Sequence, residues 1–554
     1  MKINDRARDV LSAVSQPWLT YALWAAALFF AALIPVAFVH GFPFDPWGLG
    51  LLKFKSLRKP FELSFILFAA GVLFWPRRGD LLAGLKEKGE ALGRSPWAIW
   101  ILAGVYFLLF LWQQVTKYLA LEINFIPFLF YDYMLWFFDQ GRFCFTGYLH
   151  GYYHTDLILL LLYPVWKLVQ SGWLLHVAHP LLTALAAIPL YFWSRDRLKS
   201  PLLGLTAAFV YLNFRYVQNL LHVNFAAEVF YPVLIFSAVY FASKGRNALY
   251  YLSVLLGLTV KEDAVLYFGT LGLFFCFVRA NRARGLVTIL LSVLYAVFLL
   301  KVFIPWSRSD IFLRSLKNYP GLGSTPGDQL FNLVSHPWLF IRELVVPFEK
   351  VRTIFKLTSK LLFFPLLSPW FLMVIVSIYP LFFQSTGEGE LFFQLSFYYA
   401  AAVLPFVFLA FVDGWGRIQE RIPSKAKAFF QGAVIALVVF LNAFNLRPVH
   451  FDRDDLKTIA LVKSLPKEAV VVTQGHLLPY LGYRTWNFYM ARPYEKSAKT
   501  REAYFNADYF LFDFEANAYP LSGEELRRKA ETMKQDDRWK VAYEDHRRLL
   551  LQKQ

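Results

Sequence analysis

The feature that most constrains this chain is a succession of apolar runs, many close to the roughly 20 residues needed to cross a bilayer. They lie near 18–38, 61–76, 97–116, 173–194, 203–221, 228–243, 248–260, 264–278, 285–305, 396–413 and 428–446. Charged residues are only 17% of the chain, against about 25% in soluble domains. Aromatic residues reach 19%, which suits the belts at membrane interfaces. The expectation is an all-α polytopic membrane protein of about 11–13 transmembrane helices, with a small C-terminal α/β domain after the last one.

The net charge of +18 would suggest nucleic acid in a soluble protein. Here the basic residues cluster in short connections, so membrane lipid is the expected partner and nucleic acid is not. The connections are Arg77-Arg78 with Lys86 and Lys88; Arg195, Arg197 and Lys199; Lys244 and Arg246; Arg279, Arg282 and Arg284; and Arg417, Arg421, Lys425 and Lys427. Placing all of them in the cytoplasm gives one consistent topology, with the N-terminus inside and the C-terminal tail outside. The opening MKINDRARDVLSAVSQP leads into an apolar run with no small-residue cleavage site, so it reads as a retained first span. Cys144 and Cys276 lie far apart and offer neither a disulfide framework nor a cysteine zinc site.

Two stretches resist the scheme. LLFFPLLSPWFLMVIVSIYPLFF (361–383) contains Pro365, Pro369 and Pro380, and both neighbouring loops fall outside. It must cross twice or not at all, as a re-entrant or broken helix would. HTDLILLLLYPVWKLVQ (154–170) is short, holds Pro164 and Lys167, and reads as interfacial or re-entrant. The basic stretch from Arg342 to Lys360 is expected along the interface.

Three domains follow: an N-terminal hairpin with a cytoplasmic loop (1–95), a transmembrane core with a long first outer loop at 119–172 (96–446), and an extracytoplasmic α/β domain (447–554). In the last, strands are expected at Val470 to Thr473, at 507–514 and in WKVAYEDHRRLLLQKQ, with a helix capped by Ser522 and Glu525.

By this topology the outer stretches hold the polar residues that look out of place. Asp132 and Asp139 are two helical turns apart and share a face if the segment is helical; Gln140 adjoins the second. His150 and His154 share a face likewise and could bind zinc, but no third ligand is identifiable. His222 and Glu228 mark the outer ends of two consecutive runs, and Lys261, Glu262 and Asp263 interrupt about thirty apolar residues at a tight turn. Lys261 suits a phosphate or carboxylate; Glu262 and Asp263 suit a cation. The bland alternatives are wet interfacial side chains and a carboxylate favoured by a helix N-terminus. The expectation is that Asp132, Asp139, Glu228, Lys261, Glu262 and Asp263 converge on one cleft.

At these residues the chain resembles a known family. YDYMLWFFDQG (131–141), HTDLILLLLYPVW (154–166), HPLLTALAAIPLYFWSR (179–195), FAAEVFYPVLIFSAVYF (225–241), VKEDAVLYFGTLGLFF (260–275), LSFYYAAAVLPFVF (395–408), HLLPYLGYRTWNF (476–488) and ADYFLFD (507–513) together resemble the bacterial and archaeal membrane-protein family called domain of unknown function 2079. The resemblance covers roughly residues 97 to 515. Three departures stand out: Ala226-Ala227 replaces the family's His-Pro, Phe397-Tyr398 its His-Tyr, and Pro479-Tyr480 its Pro-His. The family is similar in layout to the GT-C membrane glycosyltransferases.

That resemblance implies a GT-C-like enzyme of a bacterial cytoplasmic membrane. It would move a sugar from a polyprenyl-phosphate donor to a glycan or lipid acceptor at the outer face. Asp132 falls where the first-loop catalytic carboxylate sits, with Asp139 the second catalytic candidate. Gln140, His150, His154, His222, Glu228, Lys261, Glu262 and Asp263 are expected at the substrate. No cofactor is implied, and a divalent cation is left open. The rival from another class is a transporter or flippase for a lipid-linked or anionic solute, whose buried charges would line a pathway.

Overall fold

A computed structural model describes residues 17–40, 58–75, 78–123, 125–141, 154–278, 281–307, 328, 331–332, 335–383, 389–443, 449–482, 487–489, 506–518 and 521–554. It is an all-α polytopic membrane fold with a small C-terminal sheet. Among the described residues six helices are long and apolar enough to cross a membrane: Trp18–Ala37, Ala98–Leu119, Trp173–Leu198, Arg282–Trp306, Phe397–Arg421 and Ser424–Asn442. Five shorter apolar helices join them, and each apolar run of the sequence contains helix.

In chain order, α1 (Pro17–His40) and α2 (Arg58–Phe74) pair as a hairpin whose Trp24 stacks on Trp75 at 5.4 Å. The polar α3 (Arg78–Arg94) leads to α4 (Ala98–Leu119) and α5 (Phe125–Asp139). After the short α6 (Tyr163–Val169) come α7 (Trp173–Leu185) and α8 (Ala187–Leu198), nearly continuous. The run at 203–221 breaks at Phe214 into α9 (Pro201–Asn213) and α10 (Arg215–Leu220). Then follow α11 (Phe230–Ser243), α12 (Asn247–Leu258), α13 (Ala264–Phe277) and α14 (Arg282–Phe298). Small residues let neighbours close up: a Cβ on Gly272 would lie 2.9 Å from the Gly285 carbonyl oxygen, so α13 and α14 meet backbone to backbone.

The basic connections gather at one end of the bundle. Lys244 bonds Asp196 at 2.8 Å, and Arg197 bonds Glu420 at 2.6 Å and Asp413 at 2.9 Å. Asp413 lies in α18 (Leu404–Arg421) and also accepts from Arg417 Nε and Ser368 Oγ.

The awkward stretch 361–383 is not one helix. Amphipathic α15 (Trp338–Val345) and α16 (Phe348–Ser359) precede it. From Lys360 the chain runs irregularly, through a 3-10 turn at Phe364–Leu367, to Ser368 and Trp370 at the basic end, where Trp370 meets Trp193 and Phe274. Then α17 (Phe371–Phe382) carries it back until Phe382 lies under Lys350 of α16. The other anchor is α19 (Ser424–Asn442), whose Asn442 Nδ2 donates to the Lys360 carbonyl. The prolines explain the break: each removes a backbone donor and disfavours helix just before it. Likewise 154–170 forms a 3-10 turn, Leu157–Leu161, and then α6.

The C-terminal region pairs five strands in the order β2-β1-β3-β5-β4. These are β1 (Val471–Thr473), β2 (Asn487–Tyr489), β3 (Tyr509–Asp513), β4 (Trp539–Glu544) and β5 (Arg548–Lys553). The first three are parallel, and β5 runs antiparallel to both neighbours. The segment read as a single third strand is thus a hairpin, and β2 is an addition. The sheet carries α20 (Arg453–Ser464) and α21 (Gly523–Lys534), and Ser522 with Glu525 forms the expected capping box.

Candidate functional site

Away from the basic end, four chain segments bring polar groups together. Glu228 sits in the 3-10 turn Ala227–Val229 that opens α11, and the α12–α13 turn supplies Lys261, Glu262 and Asp263. Residues 154–158 lie across that turn as a strap, held by Ile158 N donating to the Thr259 carbonyl at 2.9 Å. The 3-10 turn Phe397–Ala400 contributes Tyr398, whose hydroxyl feels the charges of Glu228 and Lys261.

Two ion pairs organise the cluster. Lys261 Nζ donates to Glu228 Oε1 at 2.8 Å, both side chains nearly buried. His154 Nδ1 meets Glu262 Oε1 at 2.6 Å, and the Thr155 backbone N–H donates to Oε2 at 3.2 Å. Asp263 accepts from the hydroxyls of Tyr231 (2.6 Å) and Tyr267 (3.1 Å). Asp156 differs from all of these: it is 0% exposed, and neither carboxyl oxygen has a hydrogen-bond partner among the described residues. Glu228 Oε2 is also without one.

The electrostatics follow from this geometry. Burial alone would lift Glu262, but the charge and hydrogen bond of His154, with Lys261, reverse it and hold the carboxyl at about 2. Burial would depress His154; Glu262 outweighs that, with help from Asp156, and the imidazole is raised. Asp156 is pushed well above the carboxylate range by burial, and the neighbouring Glu228 and Glu262 add to it.

Of the sequence-selected residues, the structure brings together His154, Glu228, Lys261, Glu262 and Asp263. Asp132 and Asp139 stand apart from these contacts. Asp139 ends α5 and accepts from the Tyr163 hydroxyl at 3.1 Å, with Lys167 Nζ at 3.8 Å. Asp132 is buried on the face of α5 turned to the α6–α7 corner; a Cβ on Gly172 would lie 2.7 Å from its Oδ2. Tyr131, one residue earlier, feels Asp156, Glu228 and Lys261, so α5 borders the cluster. Gln140 is exposed in the turn after α5 and His222 half-buried after α10, while His150 lies outside the described residues. Among the described residues no group of three or more His, Cys, Asp or Glu could hold a metal ion.

A second polar pocket was not anticipated. Phe128, one turn before Asp132, stacks on His176 of α7 at 4.4 Å. His176 is 1% exposed, and its ring nitrogens have no hydrogen-bond partner among the described residues. Beside it Lys117 Nζ and Gln114 Nε2 both donate to the Leu221 carbonyl at 2.9 Å. The sheet region docks here: Tyr480 Oη donates to the Tyr118 carbonyl at 2.5 Å and Tyr133 Oη to that of Gly482 at 3.1 Å. Ionisable residues inside apolar runs are functional candidates by default, and that signal could have found Lys117 and His176.

Fold and site define a polytopic membrane protein with a buried, charged cluster at one end of its bundle. More particularly, the chain belongs to the family described as "Predicted membrane protein (DUF2079)", whose model matches residues 129–550. The match ends within β5 of the sheet region and leaves out α1 to α4 and the start of α5. No curated protein matches the chain. Among solved structures it is similar to the crystal structure of ArnT from Cupriavidus metallidurans bound to undecaprenyl phosphate, at 12% identity over 82% of this chain and 98% of that one, TM-score 0.44. It is also similar to that of the Archaeoglobus fulgidus oligosaccharyltransferase tethered with an acceptor peptide, at 11% identity over 76% and 70%, TM-score 0.37.

Proposed function

We propose that the chain is a membrane glycosyltransferase that moves a sugar from a polyprenyl-phosphate donor to a glycan or lipid acceptor at the outer face of a bacterial cytoplasmic membrane. The observation that carries this reading is the buried pairing of Lys261 with Glu228 beside the α12–α13 turn. A 12-residue helix such as α12 rises about 18 Å, well short of the roughly 30 Å hydrocarbon core. With the basic end at one membrane surface, the charged turn lies at a depth where a lipid-linked phosphate and a cation can meet. In the reaction Asp132 takes the acceptor hydroxyl's proton, the acceptor oxygen bonds the anomeric carbon, and the bond from that carbon to the phosphate oxygen breaks. The phosphate leaves with its added charge near Lys261.

In this reading the basic end is cytoplasmic and the sheet region lies outside, near the acceptor. A reporter active only outside the cytoplasm, fused after Gln554, should give signal; silence there, with signal from a fusion at 281–285, overturns the orientation. The functional test is mass spectrometry of surface glycans and lipid-linked sugars in a deletion strain. Loss of one sugar is expected, restored by the wild-type chain and not by Asp132→Asn. An unchanged glycan profile sinks the proposal.

A further inference from the structure

Asp156 has no role in the mechanism above, yet it occupies the middle of the cluster. Groups from every neighbouring segment face it: His154 on its own strap, Glu228 before α11, Lys261 and Glu262 in the α12–α13 turn, Tyr131 of α5 and Tyr295 of α14. With Asp156 ionised the cluster would hold four carboxylates, Asp263 included, against two cations. An anionic substrate could enter such a site only against repulsion. The donors also remain underused. Lys261 has three N–H donors and spends one, on Glu228. A protonated Asp156 would add an O–H donor where the structure now has two unpartnered oxygens.

We propose that the cluster binds the anionic group of its substrate together with a proton carried on Asp156, Lys261 being the cationic partner and the anion a phosphate ester. Proton and anion enter as a pair, so the buried site gains no net charge when the substrate arrives. Burial of Asp156 favours its protonated form, and the arriving anion favours it further. The anion's chemical class rests on the glycosyltransferase reading; the proton linkage rests only on the geometry of Asp156.

The test uses the full chain in lipid nanodiscs and probes whose own charge is constant with pH: a polyprenyl phosphodiester and, separately, inorganic sulfate. Lipid-probe affinity should be flat at low pH and fall about tenfold per pH unit above the Asp156 pKa, since one proton is lost. Asp156→Asn, which imitates the protonated state, should bind without that slope. Lys261→Met should weaken binding at every pH. A slope shared by sulfate assigns the site to the phosphate group itself; a slope with the lipid alone adds the chain to the recognition. Wild-type binding that is flat throughout, or a slope that survives in Asp156→Asn, overturns the proposal. Proton-linked binding without sugar transfer would remove the glycosyltransferase reading and leave this one standing.

Discussion

Asp413 and Asp156 are equally hidden, at 1% and 0% exposure, and opposite in every other respect. Asp413 accepts from Arg197, Arg417 and Ser368, tying α8, α18 and the descending segment together. Asp513 in β3 is treated the same way, gripped by Arg547 Nε at 2.8 and 2.9 Å and by Thr458 at 2.8 Å. This chain can therefore satisfy a buried carboxylate when the carboxylate serves architecture. Asp156 receives nothing, and burying an unpaired polar group is costly. On the proposal above, the difference separates an end of the bundle built for closure from one that takes a ligand.

The comparison breaks most visibly in activity. Asp132→Asn should lower sugar transfer by about 10²–10⁴ while the unfolding temperature stays near wild type, because amide and carboxylate share a shape. An unfolded variant would make Asp132 a structural residue like Asp413. At the closed end the effect should be on stability. Asp413→Ala strands two guanidinium groups, and losing one partner of a buried pair costs about 3–5 kcal/mol. Arg197 and Arg417 are 24% and 42% exposed and can turn to water, so about 2–3 kcal/mol is expected. Thermal unfolding in detergent measures it.

Smaller effects sharpen the contrast. A Cβ on Gly414 would overlap the Phe364 carbonyl oxygen, so Gly414→Ala should cost about 1–3 kcal/mol by overpacking. The His154–Glu262 pair is partly exposed and should contribute about 0.5–1 kcal/mol. The raised His154 sets the sign: its contribution is complete below the unfolded histidine pKa and is lost as pH rises through the higher folded value. Unfolding curves of His154→Phe and wild type should therefore converge in mildly alkaline solution. Curves that stay parallel would show that the imidazole is not charged.

Much of this was legible in the sequence, for identifiable reasons. Apolar run length located the helices, since a membrane leaves the backbone few choices. The prolines and the parity of the basic loops together flagged 361–383. The same reading bounded α12, since its run ends at the charges of Lys261 to Asp263 and the helix stops after 12 residues. The Glu262–Lys261–Asp263 turn was conspicuous, because three charges interrupt an apolar run. Its partner His154 was noticed for its spacing from His150, whereas the structure pairs it with Glu262, 108 residues away. Asp156 stood unnoticed before LILLLL, and Asp413 within FVFLAFVDGWG. Both are single carboxylates bordering apolar sequence, and local pattern cannot distinguish the satisfied one from the orphan, because their partners come from distant segments.

The substitution with the smallest effect in acid therefore discriminates best. Asp156→Asn removes no hydrogen bond, since the carboxyl makes none. Near pH 3 both states of wild type hold most of the Asp156 proton, so the amide replaces a neutral group of the same shape and stability should change by less than about 0.5 kcal/mol. Above that the sign is fixed by linkage. The folded carboxyl is raised well above its ordinary value, so the unfolded chain releases its proton first and the native wild type loses stability as pH climbs. The loss approaches about 1.4 kcal/mol per pH unit until the folded carboxyl also ionises. Asparagine has no proton to release, so the variant should become progressively more stable than wild type toward neutral pH, opposite in sign to Asp413→Ala. If Asp156→Asn instead destabilises the protein at pH 7 as Asp413→Ala does, Asp156 is held by a bond that matters to the fold, and the two ends of the bundle are alike.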